Sequence, residues 1–135
     1  MSGEHNLETL LASMSAVLID GVFVFTTMAD ADVPTGVSPR MMFREAEGTT
    51  LILLQSEAET LGLDYEFPSR MITLNIHSAL DAVGFMARIA TELAAAGMGV
   101  NPVAGFYHDH LFIPEDRGAD AMAILQGISD AASAK

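Results

Sequence analysis

The stretch ITLNIHSALDAVGFMARIATELAAAGMGVNPVAGFYHDHLFIP, residues 72–114, decides the fold of this chain. It opens with apolar residues at every second position, which is the pattern of a strand with one buried face. Apolar residues then recur at helical spacing from about residue 80 to residue 96, and Gly97 ends that segment. Two short apolar runs follow, separated by a polar turn at His108-Asp109. The order strand, helix, strand, strand predicts an α+β unit.

The first half of the chain contains a similar series of elements. A short helix near residues 6–16 precedes an apolar strand at residues 21–28. A hairpin around Glu47-Gly48 comes next. Ser56 and Glu59 then have the spacing of a capping box, which predicts the start of a short helix.

The two halves differ in the connection that follows their first strand. It is a full helix in the second half and a proline-broken loop, residues 29–40, in the first. We therefore predict two units that arose by duplication, at residues 1–68 and 69–135, with a degenerate first helix in the first unit. The second unit shows no final strand of its own. That strand is expected from the other half or from an N-terminal segment.

The charge of the chain excludes several classes of function. Six Lys and Arg residues stand against eighteen Asp and Glu residues, so the formal net charge is −12. Nucleic acids and anionic membranes require clustered positive charge, and neither is an expected partner. The absence of cysteine excludes disulfides and thiolate sites. Since the chain shows neither a signal-peptide pattern nor an apolar run of about 18 residues, it is predicted to be cytoplasmic.

Two segments give the chain a resemblance to a known family. REAEGTTLIL (residues 44–53) and NPVAGFYHDHLFIP (residues 101–114) resemble segments of small bacterial proteins built from two ACT-like units. The tetrapeptide Asp81-Ala82-Val83-Gly84 is similar to the loop after the first strand of an ACT domain. The resemblance implies tandem ferredoxin-like βαββαβ units, with antiparallel sheets and helices packed on one face. It also implies a regulatory module that binds amino acids, in a family without an assigned biochemical function.

A small-molecule site is predicted at the turn before the helix of the second unit. The N-terminus of a helix offers free backbone N–H groups and the positive end of the helix dipole, which suit a carboxylate. Asp81 would then meet an ammonium group, and Asn101 enters by the resemblance. The predicted ligand-binding residues are Asp81, Ala82, Val83, Gly84, Phe85 and Asn101. The alternative is that Ser78 and Asp81 only cap the helix.

A metal site is the alternative at the hairpin turn. His108 and His110 have the spacing of residues on one face of a strand, with Asp109 on the other face. A third ligand, His77 or a glutamate, would have to converge on the same point. Polar residues are also usual at the tip of a hairpin, and that interpretation is favoured.

The sequence therefore predicts a non-catalytic sensor of the ACT type, with no cofactor. Its expected partners are an amino acid and a second copy of the chain, or an intrachain pairing of the two units in place of a homodimer. A metal-dependent enzyme centred on His108-Asp109-His110 and a ligand-free interaction module remain the alternatives.

Overall fold

A computed structural model of the protein describes residues 6–76 and 82–134. The helices of this described part are α1 (Leu7–Ser13), α2 (Gln55–Thr60), α3 (Phe85–Ala95) and α4 (Gly118–Ser133). Its strands are β1 (Ala16–Leu18), β2 (Phe23–Met28), β3 (Met41–Arg44), β4 (Thr49–Leu54), β5 (Glu66–Leu74), β6 (Asn101–Ala104) and β7 (Asp109–Pro114). None of the helices in these ranges has the length and hydropathy needed to cross a membrane.

The chain divides into two compact units. We call Gly21–Ser69 the central unit, and the described residues before and after it the terminal unit. Strand β5 contributes residues 66–69 to the central unit and residues 70–74 to the terminal unit. The division of the sequence at residues 68 and 69 into two ACT-like units stays a prediction.

The sheet of the terminal unit has the strand order β1-β5-β7-β6. Strand β1 pairs antiparallel with β5, with Ala16 opposite Leu74 and Leu18 opposite Ile72. The sequence pattern left the last strand of the second unit unassigned, and β1 from the N-terminal segment occupies that place. The hairpin of β6 and β7 is antiparallel, with Val103 opposite His110.

Helices α1, α3 and α4 bury their apolar residues in the core of the terminal unit. The fully buried members are Leu10, Leu11, Ile72, Leu74, Ile89, Leu93, Leu111, Ile113 and Ala121. Helix α1 begins as its sequence predicts, because the Asn6 side chain accepts a hydrogen bond from the Thr9 N–H at 3.0 Å. Removing these side chains from water supplies the main driving force for folding of this unit.

Helix α3 begins later than its sequence pattern predicts. Residues 82–84 are not helical, and Gly84 is the N-cap with a φ of 89°. That left-handed conformation cannot continue a helix, so the predicted start near residue 80 is wrong. Val83, an apolar residue of the predicted helical segment, is 85% exposed. Ser78, predicted with Asp81 as a capping box, lies outside the described residues, as does Asp81.

The sheet of the central unit has the strand order β3-β4-β2-β5. Strands β2 and β4 pair antiparallel along their whole length, and β3 pairs with β4 as the predicted hairpin requires. The core contains Val24, Leu51, Leu53 and Ala58, against which Val33 and Val37 of the loop pack. Antiparallel pairing and helices beside each sheet confirm the predicted α+β class.

Helix α2 of the central unit begins two residues earlier than the capping-box pattern predicts. Its N-cap is Leu54, and no side chain caps it, so the predicted capping box of Ser56 and Glu59 is wrong. The Glu59 carboxylate instead accepts a hydrogen bond from the Tyr65 hydroxyl at 3.0 Å. The Glu59 side chain therefore makes a tertiary contact with Tyr65 instead of the local cap that the pattern predicts.

The connection between β2 and β3 contains a single short 3-10 turn, Asp30–Asp32. The Asp30 carboxylate accepts hydrogen bonds from Arg44 Nε and from the Thr49 hydroxyl, both at 3.0 Å. The pKa of Asp30 is lowered below its ordinary value. The hydrogen bond from Arg44 is the largest cause, and the hydrogen bond from Thr49 and the charge of Arg44 act in the same direction. These contacts hold the turn against the β3–β4 hairpin.

Candidate functional site

The turn that leads into α3 is shaped by Gly84. Its φ of 89° suits glycine, and the first helical hydrogen bond runs from the Arg88 N–H to the Gly84 carbonyl at 3.0 Å. A Cβ atom at this position would meet Leu7 Cδ2 at 3.6 Å, which is an ordinary contact. Backbone conformation, rather than crowding, is therefore the reason for glycine here.

The first turn of α3 carries backbone N–H groups that are suited to bind an anion. The N-cap of this helix is glycine, no side chain of the described residues caps it, and its first turn contains no acidic residue. The first N–H groups of a helix have no acceptor inside the helix, and they carry the positive end of the dipole. Val83, just before them, is 85% exposed. This helix end is suited to a carboxylate supplied from outside the chain.

The predicted site residues have different surroundings in the structure. Ala82 is partly buried against the core of the terminal unit, and the Phe85 side chain is buried, with 3% exposed. Asn101 is exposed at the start of β6, opposite Phe112, and within the described residues its side chain has no hydrogen bond. Asn101 lies at the first position of β6, and the hairpin loop follows the last position, Ala104.

The histidines of the hairpin contact strand β5 and its continuation. His110 Nδ1 lies 3.0 Å from the Thr73 hydroxyl, and His108 Nδ1 lies 3.3 Å from the Ile76 carbonyl. The loop between β6 and β7 is closed by a hydrogen bond from the Gly105 N–H to the His108 carbonyl at 2.9 Å. His108 thereby fixes the hairpin loop beside Ile76, the last described residue before the candidate turn. No local pattern predicts that His108 lies beside Ile76, because this depends on how β7 packs beside β5.

A metal centre at the hairpin finds no support in the described part of the chain. Among residues 6–76 and 82–134, no three His, Asp or Glu side chains converge in a way that could hold an ion. His77, the predicted third ligand, lies outside those ranges. His108 and His110 instead have the contacts with the Ile76 carbonyl and the Thr73 hydroxyl.

The chain matches family models along most of its length. A model described as ACT domain matches residues 2–70. A second ACT domain model matches residues 66–127. Two matches in series agree with the tandem arrangement that the resemblance implies. No curated protein matches the chain.

Several solved structures are similar to this one. A Vibrio cholerae protein of unknown function, described as a possible transport protein, is 39% identical with a TM-score of 0.83, over 91% of this chain and 95% of that one. An Agrobacterium tumefaciens protein is 14% identical with a TM-score of 0.73, over 86% of this chain and 89% of its own. The ligand-free regulatory subunit of aspartate kinase from Thermus thermophilus is 9% identical with a TM-score of 0.65, over 84% and 97%. The last two similarities concern the fold alone.

Proposed function

This chain belongs to the ACT-domain family, and we propose that it is a non-catalytic, cytoplasmic regulatory protein that binds an amino acid at residues 81–85. The observation that carries the proposal is the open N-terminus of α3. Within the described residues no side chain caps this helix, its first turn contains no acidic residue, and Val83 just before it is 85% exposed. The similarity to a regulatory subunit of aspartate kinase adds support at the level of the fold.

The proposed ligand binds through its two charged groups. Its carboxylate accepts hydrogen bonds from the backbone N–H groups of Val83, Gly84 and Phe85, where the helix dipole also favours negative charge. Its ammonium group pairs with the carboxylate of Asp81. A formal net charge of −12 disfavours free anions near the protein, so a zwitterion is a better ligand than a simple anion.

We propose that Asn101 contacts the ligand bound to a second copy of the chain. Strand β6 is at an edge of the terminal sheet, and Asn101 lies at its first position with an exposed side chain. An edge strand presents unpaired backbone groups that can pair with another chain. A homodimer paired across β6 would bring Asn101 of one copy toward the ligand of the other, where its amide can both donate and accept.

A thermal-shift screen of the twenty amino acids at millimolar concentration tests the site. At least one amino acid is expected to raise Tm by several degrees, because a ligand at about 100 times its Kd stabilises the folded state by about 2.7 kcal/mol. Asp81→Ala is expected to abolish that shift. Asp32→Ala, an exposed carboxylate of the central unit, is the matched control and should keep it.

Two results would contradict the amino-acid site. One is a screen in which no amino acid raises Tm. The other is an Asp81→Ala variant that responds as the unaltered chain does. The dimer is tested separately by light scattering, and Asn101→Ala is expected to weaken ligand binding without altering the measured mass.

A further inference from the structure

The central unit contains a cavity that the proposed function does not use. Its volume is about 470 Å³, and it lies between the loop at residues 35–38 and helix α2 with its flanking residues. That size is within the range of small-molecule sites. In the terminal unit the corresponding connection forms helix α3, whereas here the loop borders an open space.

One part of the cavity wall is apolar. Val37, Leu54 and Leu61 line it, and the two leucines are 39% and 41% exposed. Val37 also packs against the core of the central unit, so the loop that carries it is anchored. Exposed leucines around a concave space favour a ligand with a short hydrocarbon body.

The polar part of the wall centres on Glu57. Its Oε2 accepts a hydrogen bond from the Ser38 N–H at 3.2 Å, which orients the carboxylate beside the loop. A carboxylate has about four acceptor positions, so this one can accept further hydrogen bonds. Thr35 and Ser56 also line the cavity, and within the described chain the hydroxyl of neither residue has a hydrogen bond.

The charge of the lining decides the class of ligand. Glu57 is the one charged residue among those that line the cavity, and no Lys, Arg or His is present there. A ligand carboxylate would find no cation to pair with and would face Glu57. A single ammonium group would form a charge-assisted hydrogen bond with Glu57.

We propose that this cavity is a second binding site, specific for a small primary alkylammonium without a carboxylate. The ammonium group donates to Glu57 and to the neighbouring hydroxyl oxygens, and the hydrocarbon body packs on Leu54 and Leu61. This site is independent of the amino-acid site of the terminal unit, because every residue that lines it belongs to the central unit.

A nitrogen-edited NMR titration with isoamylammonium chloride tests the proposal on the full chain. The amides of Gly36, Val37, Ser38 and of α2 are expected to shift in a saturable way. Glu57→Gln should weaken binding about fivefold to tenfold, the range of a hydrogen bond to a charged group partly exposed to water. Glu59→Gln is the matched control on the same helix, since Glu59 bonds to Tyr65 and does not line the cavity.

Isoamyl alcohol is the neutral counterpart of the probe and should bind at least fivefold more weakly. The proposal is overturned if no amide of the cavity shifts up to about 50 mM amine, well above a typical millimolar Kd. It is also overturned if the alcohol shifts the same amides equally. A third contradicting result is that these amides shift with protein concentration alone, which would mean that a second copy of the chain occupies the cavity. Asp81→Ala should leave the amine titration unchanged, so the two sites succeed or fail separately.

Discussion

In both the central and the terminal unit the strand before the first connection lies between two other strands, but the connection itself differs. In the terminal unit the chain turns at Gly84 and forms α3, an amphipathic helix of 11 residues. In the central unit it forms a 3-10 turn at Asp30–Asp32 and a loop. The helix supplies a core-forming face and an open N-terminus, whereas the loop leaves a cavity with a carboxylate in its wall.

The two connections are also held by different forces. Phe85, Ile89 and Leu93 of α3 are buried in a large apolar core, so burial of hydrocarbon stabilises that connection. The loop of the central unit packs Val33 and Val37 partly against a smaller core and is further held by the polar contacts of Asp30. Substitutions in the two units should therefore differ in size and in their dependence on pH.

Leu11→Ala is expected to have the largest effect. Leu11 is fully buried in the core of the terminal unit, although it lies in the N-terminal segment that the sequence groups with the first unit. Truncating a buried leucine lowers the free energy of unfolding by about 2–5 kcal/mol. Urea denaturation measures it, with Leu61→Ala as the control in the central unit. Leu61 is 41% exposed, so the control should cost about 1 kcal/mol or less.

Equally small losses of unfolding free energy in the two variants would contradict this comparison between the units. They would mean that α1 is not an integral part of the terminal core, and that the N-terminal segment contributes no more than an exposed residue does. A loss confined to Leu11→Ala supports the assignment of the N-terminal segment to the terminal unit.

Gly84→Ala and Gly36→Ala form a matched pair of intermediate effect. The two glycines have φ values of 89° and 85°, and each lies in the connection that follows the first strand of its unit. An added Cβ meets only ordinary contact or open space, so the cost is backbone strain, about 1–2 kcal/mol in each case. Equilibrium unfolding should therefore give similar losses, while only Gly84→Ala should reduce stabilisation by an amino acid.

A much larger loss for Gly84→Ala than for Gly36→Ala would contradict this account. It would show that the turn before α3 has no room for a methyl group, and that packing rather than a left-handed backbone selects glycine there.

The periodic segments of the fold were predictable from sequence, whereas the short ones were not. The stripe of α3 and the alternation around Ile72 and Leu74 reflect burial on one face, which leaves a repeating pattern. Strand β1 has three residues and no pattern of its own, because its place depends on pairing with the distant β5. The start of α3 was misjudged since Ser78 and Asp81 resemble a cap, while the positive φ of Gly84 is set by the turn.

In the candidate sites, only the features formed by residues close together in the sequence were predictable. The glycine turn before a helix is visible in sequence, and so is the proline-broken loop of the first half. That Glu57 faces this loop through the Ser38 N–H is a tertiary contact without a local signal. The same holds for His110, whose contact with Thr73 joins residues far apart in the chain.

The smallest expected effect concerns pH and the loop of the central unit. Arg44 and Thr49 lower the pKa of Asp30 from 3.8, so the folded state binds a proton at Asp30 less readily than the unfolded chain does. The stability from these contacts is therefore present above the unfolded pKa and is lost as pH falls through the lower, folded value. Because Asp30 and Arg44 are both largely exposed, the change is small and weakens with salt. Asp30→Asn should flatten the acid limb of stability measured by urea denaturation. Asp32→Asn removes the same charge from the same turn without these contacts and should retain that limb; a retained limb in Asp30→Asn would show that the loop is held by Val33 and Val37 alone.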